Sequence, residues 1–290
     1  MSELYIFDTN KYSNSVGNKV DQAIFSFNQS KLTIFPVIDN KLLEIGRNST
    51  FAGLYFSGTE ISQNMASLID QMLDWGSARS YKYRIKVPPQ YLESRFYPSL
   101  EHIFLKKNAQ IVIETNQHLA ICGKDYSYHF SETNRKIVRR SISKGYSVTI
   151  KSDPNINGYN LLKNNREKRG AILSLLMKDL ECQSRIMRDA YIFFECKNLD
   201  ENLVAYAVCV KLKRDILYVL YWGEEGHERK NSPVVFLAKS IIDYCINNKI
   251  LFLDAGKSSI DGTLDKGLFD FKSRLGFQSS FKYVIEGKYA

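Results

Sequence analysis

The chain has few residues of the kinds that mark fibrous or membrane-spanning proteins. Only 6 prolines and 16 glycines occur among 290 residues, which excludes a collagen-like or proline-rich chain. No apolar run approaches the roughly 18 residues that a membrane helix needs, so no membrane span is expected. The first residues show no basic region followed by an apolar run. No signal peptide is therefore expected, and the cytoplasm is the expected location.

Cysteine and histidine are also scarce, and their spacing is not that of a metal or disulfide framework. Five cysteines and four histidines are scattered along the chain, and no two cysteines have the two-residue spacing of a redox or zinc motif. We expect reduced, mostly buried thiols and no metal site.

The residues that are abundant belong to a folded globular protein. Apolar residues make up 44% of the chain, aromatic residues 13% and charged residues 24%. This composition argues against disorder. The length suits one large domain or two small ones, each with its own core.

The positive charge of the chain is concentrated in one segment. The net charge is +9, and Arg135–Arg169 carries ten basic residues against Asp153 and Glu167, a net +8 in 35 residues. Such a segment attracts phosphates of a nucleotide, coenzyme or nucleic acid. The alternative is a solvated helix face with a basic linker. The aromatic residues there are Tyr146 and Tyr159, fewer than stacking on bases requires, so nucleic acid is not the expected partner.

Helical and extended patterns alternate along the chain and predict an α+β fold. Helix Ile61–Ala78 with strand Tyr81–Val87 resembles helix Pro233–Asn248 with strand Ile250–Asp254. This similarity indicates a weak internal duplication, with the joint near residues 130 to 150. In the second half we also expect helices Gly158–Arg169 and Ile172–Arg188, and the antiparallel strands Tyr191–Cys196, Leu203–Lys213 and Ile216–Trp222.

Common nucleotide and hydrolase motifs do not occur. Gly256-Lys257-Ser258 lacks the glycine that a phosphate-binding loop needs at position 251, which is Leu251. A different feature suits a phosphate: a polar loop ends at Ser232, before a helix whose first residue is proline. Free N–H groups at a helix start attract anions. Polar aromatic residues on the preceding strand either face a cleft or belong to the core.

Several motifs, in this order, resemble the GNAT (N-acetyltransferase) superfamily, specifically its tandem-domain, Fem-like branch. The main ones are the strand end Leu253–Ser258, the helix motif Gly267–Lys272 and the following Leu275–Phe277. Further similar segments are Ser49–Leu54, Val87–Tyr91, Arg135–Val148, Tyr159–Leu162 and Arg169–Gly170. The resemblance covers nearly the whole chain.

The resemblance implies a fold and a reaction. It implies two tandem GNAT-like domains, 1–130 and 131–290, each a mixed, mostly antiparallel sheet flanked by helices, with the donor site in the second. The reaction is direct acyl transfer to an amine, without a covalent enzyme intermediate. One departure concerns the donor: Glu224–Asn231 lacks the Arg/Gln-x-x-Gly-x-Gly/Ala pyrophosphate loop of the superfamily.

The same resemblance assigns roles to particular residues. Near Leu220–Gly223 a backbone N–H is expected to bind the acyl carbonyl. The Tyr221 hydroxyl is expected close to the reacting centre, either as the acid for the leaving group or as an orienting hydrogen bond. Asp254 either accepts a proton from the amine or caps the following turn, and Lys272 either contacts the substrate or is solvated. The residues expected to bind the donor are Arg229, Lys230, Asn231 and Ser232; those expected to bind substrate are Tyr159, Asn160, Lys257, Lys272, Arg135 and Arg139.

The sequence favours the first of three functions and leaves the other two as alternatives. The first is transfer from acyl-CoA to a nucleotide-linked amino sugar, of the dTDP-3-amino-3,6-dideoxyhexose type, for a bacterial surface polysaccharide such as a lipopolysaccharide O-antigen. The second is Fem-type transfer of an amino acid from tRNA to a peptidoglycan precursor. The third is a non-catalytic protein that binds a nucleotide or RNA. The oligomeric state is left open.

Overall fold

A computed structural model describes residues 22–47, 51, 53–228 and 231–289. Ser49, Thr50 and Ala52 of the Ser49–Leu54 motif lie outside the described residues, as does the N-terminal segment used to assess a signal peptide. No helix in the described part of the chain is long and apolar enough to cross a bilayer.

Helices and strands alternate along the described residues. The helices are α1 (Ile61–Ser77), α2 (Gln90–Glu93), α3 (Tyr97–Lys106), α4 (Tyr126–His129), α5 (Glu132–Ser143), α6 (Ile156–Glu167), α7 (Met177–Ile186), α8 (Pro233–Asn247) and α9 (Lys266–Arg274). The strands are β1 (Ala23–Phe27), β2 (Ser30–Ile34), β3 (Pro36–Asp39), β4 (Leu42–Ile45), β5 (Tyr55–Gly58), β6 (Lys82–Lys86), β7 (Gln110–Ala120), β8 (Ser147–Lys151), β9 (Tyr191–Lys197), β10 (Leu203–Lys213), β11 (Ile216–Glu224), β12 (Phe252–Lys257), β13 (Ser259–Ile260), β14 (Thr263–Leu264) and β15 (Gln278–Lys288).

The chain divides into two compact units that interleave in sequence. The first unit takes the described parts of Met1–Asn116, Lys257–Asp265 and Ser279–Ala290, and the second takes Gln117–Gly256 and Lys266–Gln278. Continuous domains, 1–130 and 131–290, differ from these units because most of β15 belongs to the first unit although it lies at the end of the chain. The division into two domains at residue 130 stays a prediction.

The first unit contains helices α1, α2 and α3, two larger groups of paired strands and the two-stranded sheet β13–β14. Strands β1, β2 and β5 form an antiparallel sheet, and β3, β4, β6 and β15 pair in that order, with β4 and β6 parallel. The predicted helix Ile61–Ala78 is confirmed as α1, which buries Met65, Leu68 and Ile69. Each such side chain stabilises the fold by about 1.5–3 kcal/mol through removal of apolar surface from water.

The second unit contains the sheet order β12-β11-β10-β9-β8, in which β11 and β12 are parallel and the other pairs antiparallel. The predicted three-stranded run is confirmed as β9, β10 and β11, and the predicted helix that begins at Pro233 is confirmed as α8. Ser131 and Asn155 cap the N-termini of α5 and α6 by accepting backbone N–H bonds. The chain therefore has a mixed α+β fold with helices on its sheets.

One buried histidine makes the stability of the second unit sensitive to acid. Burial lowers the pKa of His118, on β7, from 6.5 to about 4. Because the folded pKa lies below the unfolded one, the unfolded chain binds the proton first, and stability falls between pH 6.5 and 4.

We expect a loss of about 2 kcal/mol between pH 7 and pH 5 from His118 alone. In His118→Gln, the free energy of unfolding measured in urea is expected to fall by about 2 kcal/mol less between pH 7 and pH 5 than in the wild type. His102→Gln changes an exposed histidine and serves as the control. An unchanged pH dependence in His118→Gln would show that another group is responsible.

Candidate functional site

The two parallel strands of the second unit diverge at one end. Pairing between β11 and β12 covers only Ile216–Tyr218 with Phe252–Asp254, whereas β11 continues to Glu224. Within the described strands, the later part of β11 is therefore not paired with β12. Backbone groups on that side of β11 need a partner other than β12, from elsewhere in the protein or from a ligand.

A β-bulge lies in the same stretch of β11. Val208 of β10 pairs with Tyr221, but the next residue, Cys209, pairs with Val219, so Leu220 is one extra residue. A bulge turns the local peptide groups and re-aims the neighbouring side chains. The bulge coincides with the segment where the sequence predicts that a backbone N–H binds a carbonyl oxygen.

Tyr221 is held by side chains from outside the sheet. Its hydroxyl lies 2.9 Å from Ser174 Oγ, and the Arg166 guanidinium lies 4.7 Å from its ring centre. The helix predicted over Ile172–Arg188 is wrong at its start, because α7 begins at Met177. The residues between α6 and α7 form a loop instead, and this loop supplies Ser174, which sequence reasoning did not identify.

Helix α6 lies close to the bulged strand because a glycine removes the side chain between them. A Cβ on Gly223 would lie 3.2 Å from Leu162 Cδ2 and 3.2 Å from Asn165 Cγ. Asn165 Nδ2 donates to the carbonyl oxygen of Glu224 at 2.9 Å. These contacts fix α6 over the end of β11 and so place Arg166 beside Tyr221.

The two polar residues predicted on α6 have different environments. Tyr159 is buried, and its hydroxyl donates to the carbonyl oxygen of Leu175 at 3.2 Å. This bond ties the loop after α6 to the first turns of that helix. Asn160 is exposed. Their part in binding a substrate stays a prediction.

Four residues meet where β12 ends. Asp254 is fully buried, and its Oδ1 accepts the N–H of Gly256 at 2.6 Å. Lys272, which is 1% exposed, donates from Nζ to the Gly256 carbonyl at 3.0 Å. Gly256 has φ +74°, and a Cβ there would lie 3.2 Å from the Tyr218 hydroxyl. The structure thus adds Tyr218 to the predicted pair Asp254 and Lys272.

These contacts bear on the alternatives left by the sequence. The Asp254 carboxylate makes the turn-capping hydrogen bond, and acceptance of a proton from an amine stays a prediction. Lys272 is buried on α9 rather than solvated, because its amine bonds a backbone carbonyl.

The segment Glu224–Asn231 before α8 carries three glutamates and two basic residues. Arg229 and Lys230 lie outside the described residues. Asn231 donates to Glu228 Oε2 at 2.6 Å and accepts from Lys144 Nζ at 3.1 Å. The hydrogen bond from Asn231 holds the pKa of the Glu228 carboxyl below its usual value. Asn231 is therefore already engaged with neighbouring side chains.

The carboxylate of Glu224 lies at the start of α8. Ser232 is the residue before the helix and has φ 50°. The N–H of Val234 donates to Glu224 Oε2 at 3.3 Å, and Glu224 is buried. The carboxylate thus uses one of the N–H groups that would otherwise bind an anion at this helix end.

Two arginines predicted to bind substrate, Arg135 and Arg139, lie on a different face of the sheet from Tyr221. Helix α6 packs on the face of β10 that carries Tyr206, whereas α8 packs on the face that carries Ala207. Helix α5, with Arg135 and Arg139, packs against α8. Their binding role stays a prediction, but they are not grouped with Tyr221.

Lys257 belongs to the first unit and is paired with a buried carboxylate. Its Nζ lies 2.6 Å from Glu114 Oε1, and Glu114 also accepts from Ser259 Oγ at 2.5 Å and from the N–H of Asp261 at 3.2 Å. Burial opposes ionisation, but these bonds lower the pKa of Glu114 overall. Substrate binding by Lys257 stays a prediction.

We expect Glu114→Gln to lower the free energy of unfolding of the first unit by about 2 kcal/mol at pH 7, because charge-assisted hydrogen bonds are lost. The folded pKa lies below the unfolded one, so this stability is present at neutral pH and is lost as the pH falls through the folded pKa. Urea unfolding at pH 7 measures the difference. Glu286→Gln, which alters a half-buried ion pair with Arg84, should cost clearly less; equal losses would contradict the account.

Metal ligands do not cluster in the described part of the chain: no three His, Cys, Asp or Glu residues there are placed to hold an ion. The expectation that the protein uses no metal stays a prediction. Cys196, Cys209 and Cys245 are buried and Cys122 is exposed, all as free thiols.

Comparison with known proteins identifies the fold. No family model matches the sequence, and no curated protein matches it. Solved structures do match. FemX has a TM-score of 0.66 with 12% identity, covering 96% of this chain and 91% of that one. L-PGS from Bacillus licheniformis has a TM-score of 0.58 with 11% identity, covering 93% and 85%.

A third similar structure is a tandem GNAT protein from the clavulanic acid biosynthesis pathway, with a TM-score of 0.57, 9% identity and coverage of 96% and 87%. Identities this low establish a shared fold and not a shared substrate. The chain therefore has the α+β fold of the GNAT and Fem-like proteins.

Proposed function

We propose that this protein transfers an acyl group to an amine at the diverging ends of β11 and β12. The observation that carries the proposal is the coincidence of two features in one strand. Pairing with β12 stops after Tyr218, and the extra residue Leu220 follows directly. A strand that leaves its partner and is also bulged presents backbone N–H groups to a carbonyl oxygen, which is what acyl transfer requires.

The side chains nearby suit the remaining steps. The neutral amine attacks the acyl carbon, the C–N bond forms, and the C–O or C–S bond to the donor breaks. The amine loses one proton as the amide forms, and the leaving group gains one. The Tyr221 hydroxyl, held by Ser174 at 2.9 Å, is the proposed donor to the leaving group, and the proton lost by the amine restores this hydroxyl. Lys272 fixes the Gly256 carbonyl and therefore the shape of the turn that ends β12.

The start of α8 does not fit the pyrophosphate of an acyl-CoA donor. The family resemblance would place that pyrophosphate at the first N–H groups of α8. Glu224 accepts the Val234 N–H there, so a negative charge of the protein already lies where the pyrophosphate would bind. Glu225 and Glu228 are matched in charge by Arg229 and Lys230 of the same segment. Because like charges repel a phosphate, we infer that the donor is an amino acid esterified to tRNA, as in the Fem-type reaction.

Exposed basic residues at α6, the helix that packs beside Tyr221, support a tRNA donor. They are Lys163 on the helix and Lys168 and Arg169 directly after it. Such residues bind the phosphate backbone without reading its sequence. The acceptor is then an amine of a peptidoglycan precursor.

A second candidate function keeps acyl-CoA as donor and a dTDP-linked amino sugar as acceptor, for a surface polysaccharide. The observation that favours it is Lys144, whose amine reaches Asn231 in the segment before α8. A cation there would attract a phosphate. Lys144, Arg229 and Lys230 match the three glutamates of the segment in charge, but Glu224 already occupies the Val234 N–H, so we place this function second.

Binding measurements separate the two donors. We expect the wild-type protein to bind tRNA with an affinity that falls steeply with salt, and to bind CoA weakly. Changing Lys163 and Arg169 together to glutamine is expected to reduce the slope of log K against log salt by about 1 to 2. The control is Lys31→Gln, an exposed lysine of the first unit. Saturable CoA binding without tRNA binding would overturn the choice of donor.

A further inference from the structure

The first unit contains a cavity that the proposed reaction does not use. Its volume is about 600 Å³, within the range of small-molecule sites. It lies where β4 and β6 begin and β15 ends. The charged residues of its lining are Lys82, Arg84, Lys107, Glu286 and Lys288.

Two of these cations already have carboxylate partners. Arg84 stands between β4 and β15, and its guanidinium lies 2.6 Å from Glu286 and 3.6 Å from Glu44. Lys107 forms an ion pair with Asp70. Their charges are therefore balanced within the first unit.

Lys82 is placed differently in the same ladder. Its partner on β4 is Leu42 and its partner on β15 is Lys288. Like charges directly opposite each other on neighbouring strands are destabilising. Among the described residues, neither lysine forms an ion pair; the Lys288 amine lies 5.9 Å from the ring centre of Tyr81. The strand register thus places Lys82 and Lys288 side by side at the cavity. Lys82 lies two positions before Arg84 on β6.

We propose that Lys82 and Lys288 bind a phosphate-bearing ligand at this cavity. A phosphate group with about two negative charges at neutral pH matches the two amines and accepts hydrogen bonds from both. Its binding converts a repulsive pair into two charge-assisted hydrogen bonds. Asn108 and Gln110, which also line the cavity, supply neutral amide donors to the rest of the ligand.

Pyrophosphate is the probe that tests this site. We expect pyrophosphate to raise the melting temperature of the full-length protein saturably, compared with sodium chloride at equal ionic strength. Lys82→Gln and Lys288→Gln are each expected to weaken pyrophosphate binding about tenfold by calorimetry. Lys31→Gln, an exposed lysine on β2 of the same unit, is expected to bind as the wild type does.

The melting temperature without pyrophosphate is a second measurement on the same variants, and there we expect no loss. Without pyrophosphate and at low salt, Lys82→Gln and Lys288→Gln are expected to melt at or above the wild-type temperature, because the repulsion is gone. If the wild-type protein binds phosphatidylglycerol vesicles and Lys82→Gln does not, the phosphate belongs to a lipid headgroup. Equal pyrophosphate affinity in wild type and both variants, with no such vesicle binding, would overturn the proposal.

Discussion

Replacing Tyr221 with phenylalanine is expected to lower the rate of acyl transfer about 100-fold, because a general acid contributes at least that factor. The ring stays in place, since Arg166 packs over its face at 4.7 Å. Only the hydroxyl and its bond to Ser174 are lost, so the free energy of unfolding is expected to fall by about 1 kcal/mol. Steady-state kinetics should place the loss in kcat rather than KM.

Two controls separate the chemical role from a structural one. Ser174→Ala leaves the Tyr221 hydroxyl and removes its partner, so its effect on kcat is expected to be much smaller. Tyr283→Phe removes a tyrosine hydroxyl that bonds Glu101 at 2.8 Å in the first unit, and it is expected to leave the rate unchanged. An unchanged kcat in Tyr221→Phe would remove this residue from the mechanism.

Replacing Lys272 with methionine is expected to reduce kcat by a similar factor for a different reason. The amine fixes the Gly256 carbonyl at 3.0 Å, and the adjacent turn depends on the Asp254 carboxylate. Loss of this anchor displaces the end of β12, and a displacement of 1 Å at a reacting centre costs about 100-fold. Methionine keeps the length of the side chain, so the change removes the charge with little loss of packing.

The rate must be compared with stability to interpret this variant. An unsatisfied buried carbonyl costs about 1–3 kcal/mol, so unfolding in urea is measured on the same preparation. Lys266→Met changes an exposed lysine on the first turn of the same helix, and it is expected to alter neither quantity. A folded Lys272→Met protein with the wild-type kcat would show that the anchor is unimportant for transfer.

Local patterns predicted most of the elements that hold the candidate site. The apolar spacing of α1 and the proline at the start of α8 each act within a few residues. The alternating strands β9, β10 and β11 follow in the same way. These features do not depend on distant parts of the chain, so sequence alone identifies them.

The details that decide the chemistry depend on contacts between distant segments. The bulge at Leu220 is defined by the register of β10, and Ser174 reaches Tyr221 across 47 positions. The carboxylate at the start of α8 depends on how β11 ends. No local pattern specifies these contacts, so the bond between Glu224 and Val234 could not be predicted.

The interleaving of the two units has the same origin. Strand β15 pairs antiparallel with β6, about 200 positions earlier in the chain. Sequence patterns are local, so they predict continuous domains with a single boundary, such as residue 130. The pairing of the C-terminal strand β15 with β6 of the first unit changes no local composition, so the sequence does not reveal it.

A transfer assay with both donors tests the central claim most directly. Aminoacyl-tRNA labelled in its amino acid and acetyl-CoA labelled in its acetyl group are each incubated with a peptidoglycan precursor and with a dTDP-amino sugar. The account predicts that label moves from aminoacyl-tRNA to the amine of the precursor and that Tyr221→Phe abolishes most of this transfer. Absence of transfer from either donor, by a folded protein that binds tRNA, would contradict the account and indicate a binding role alone.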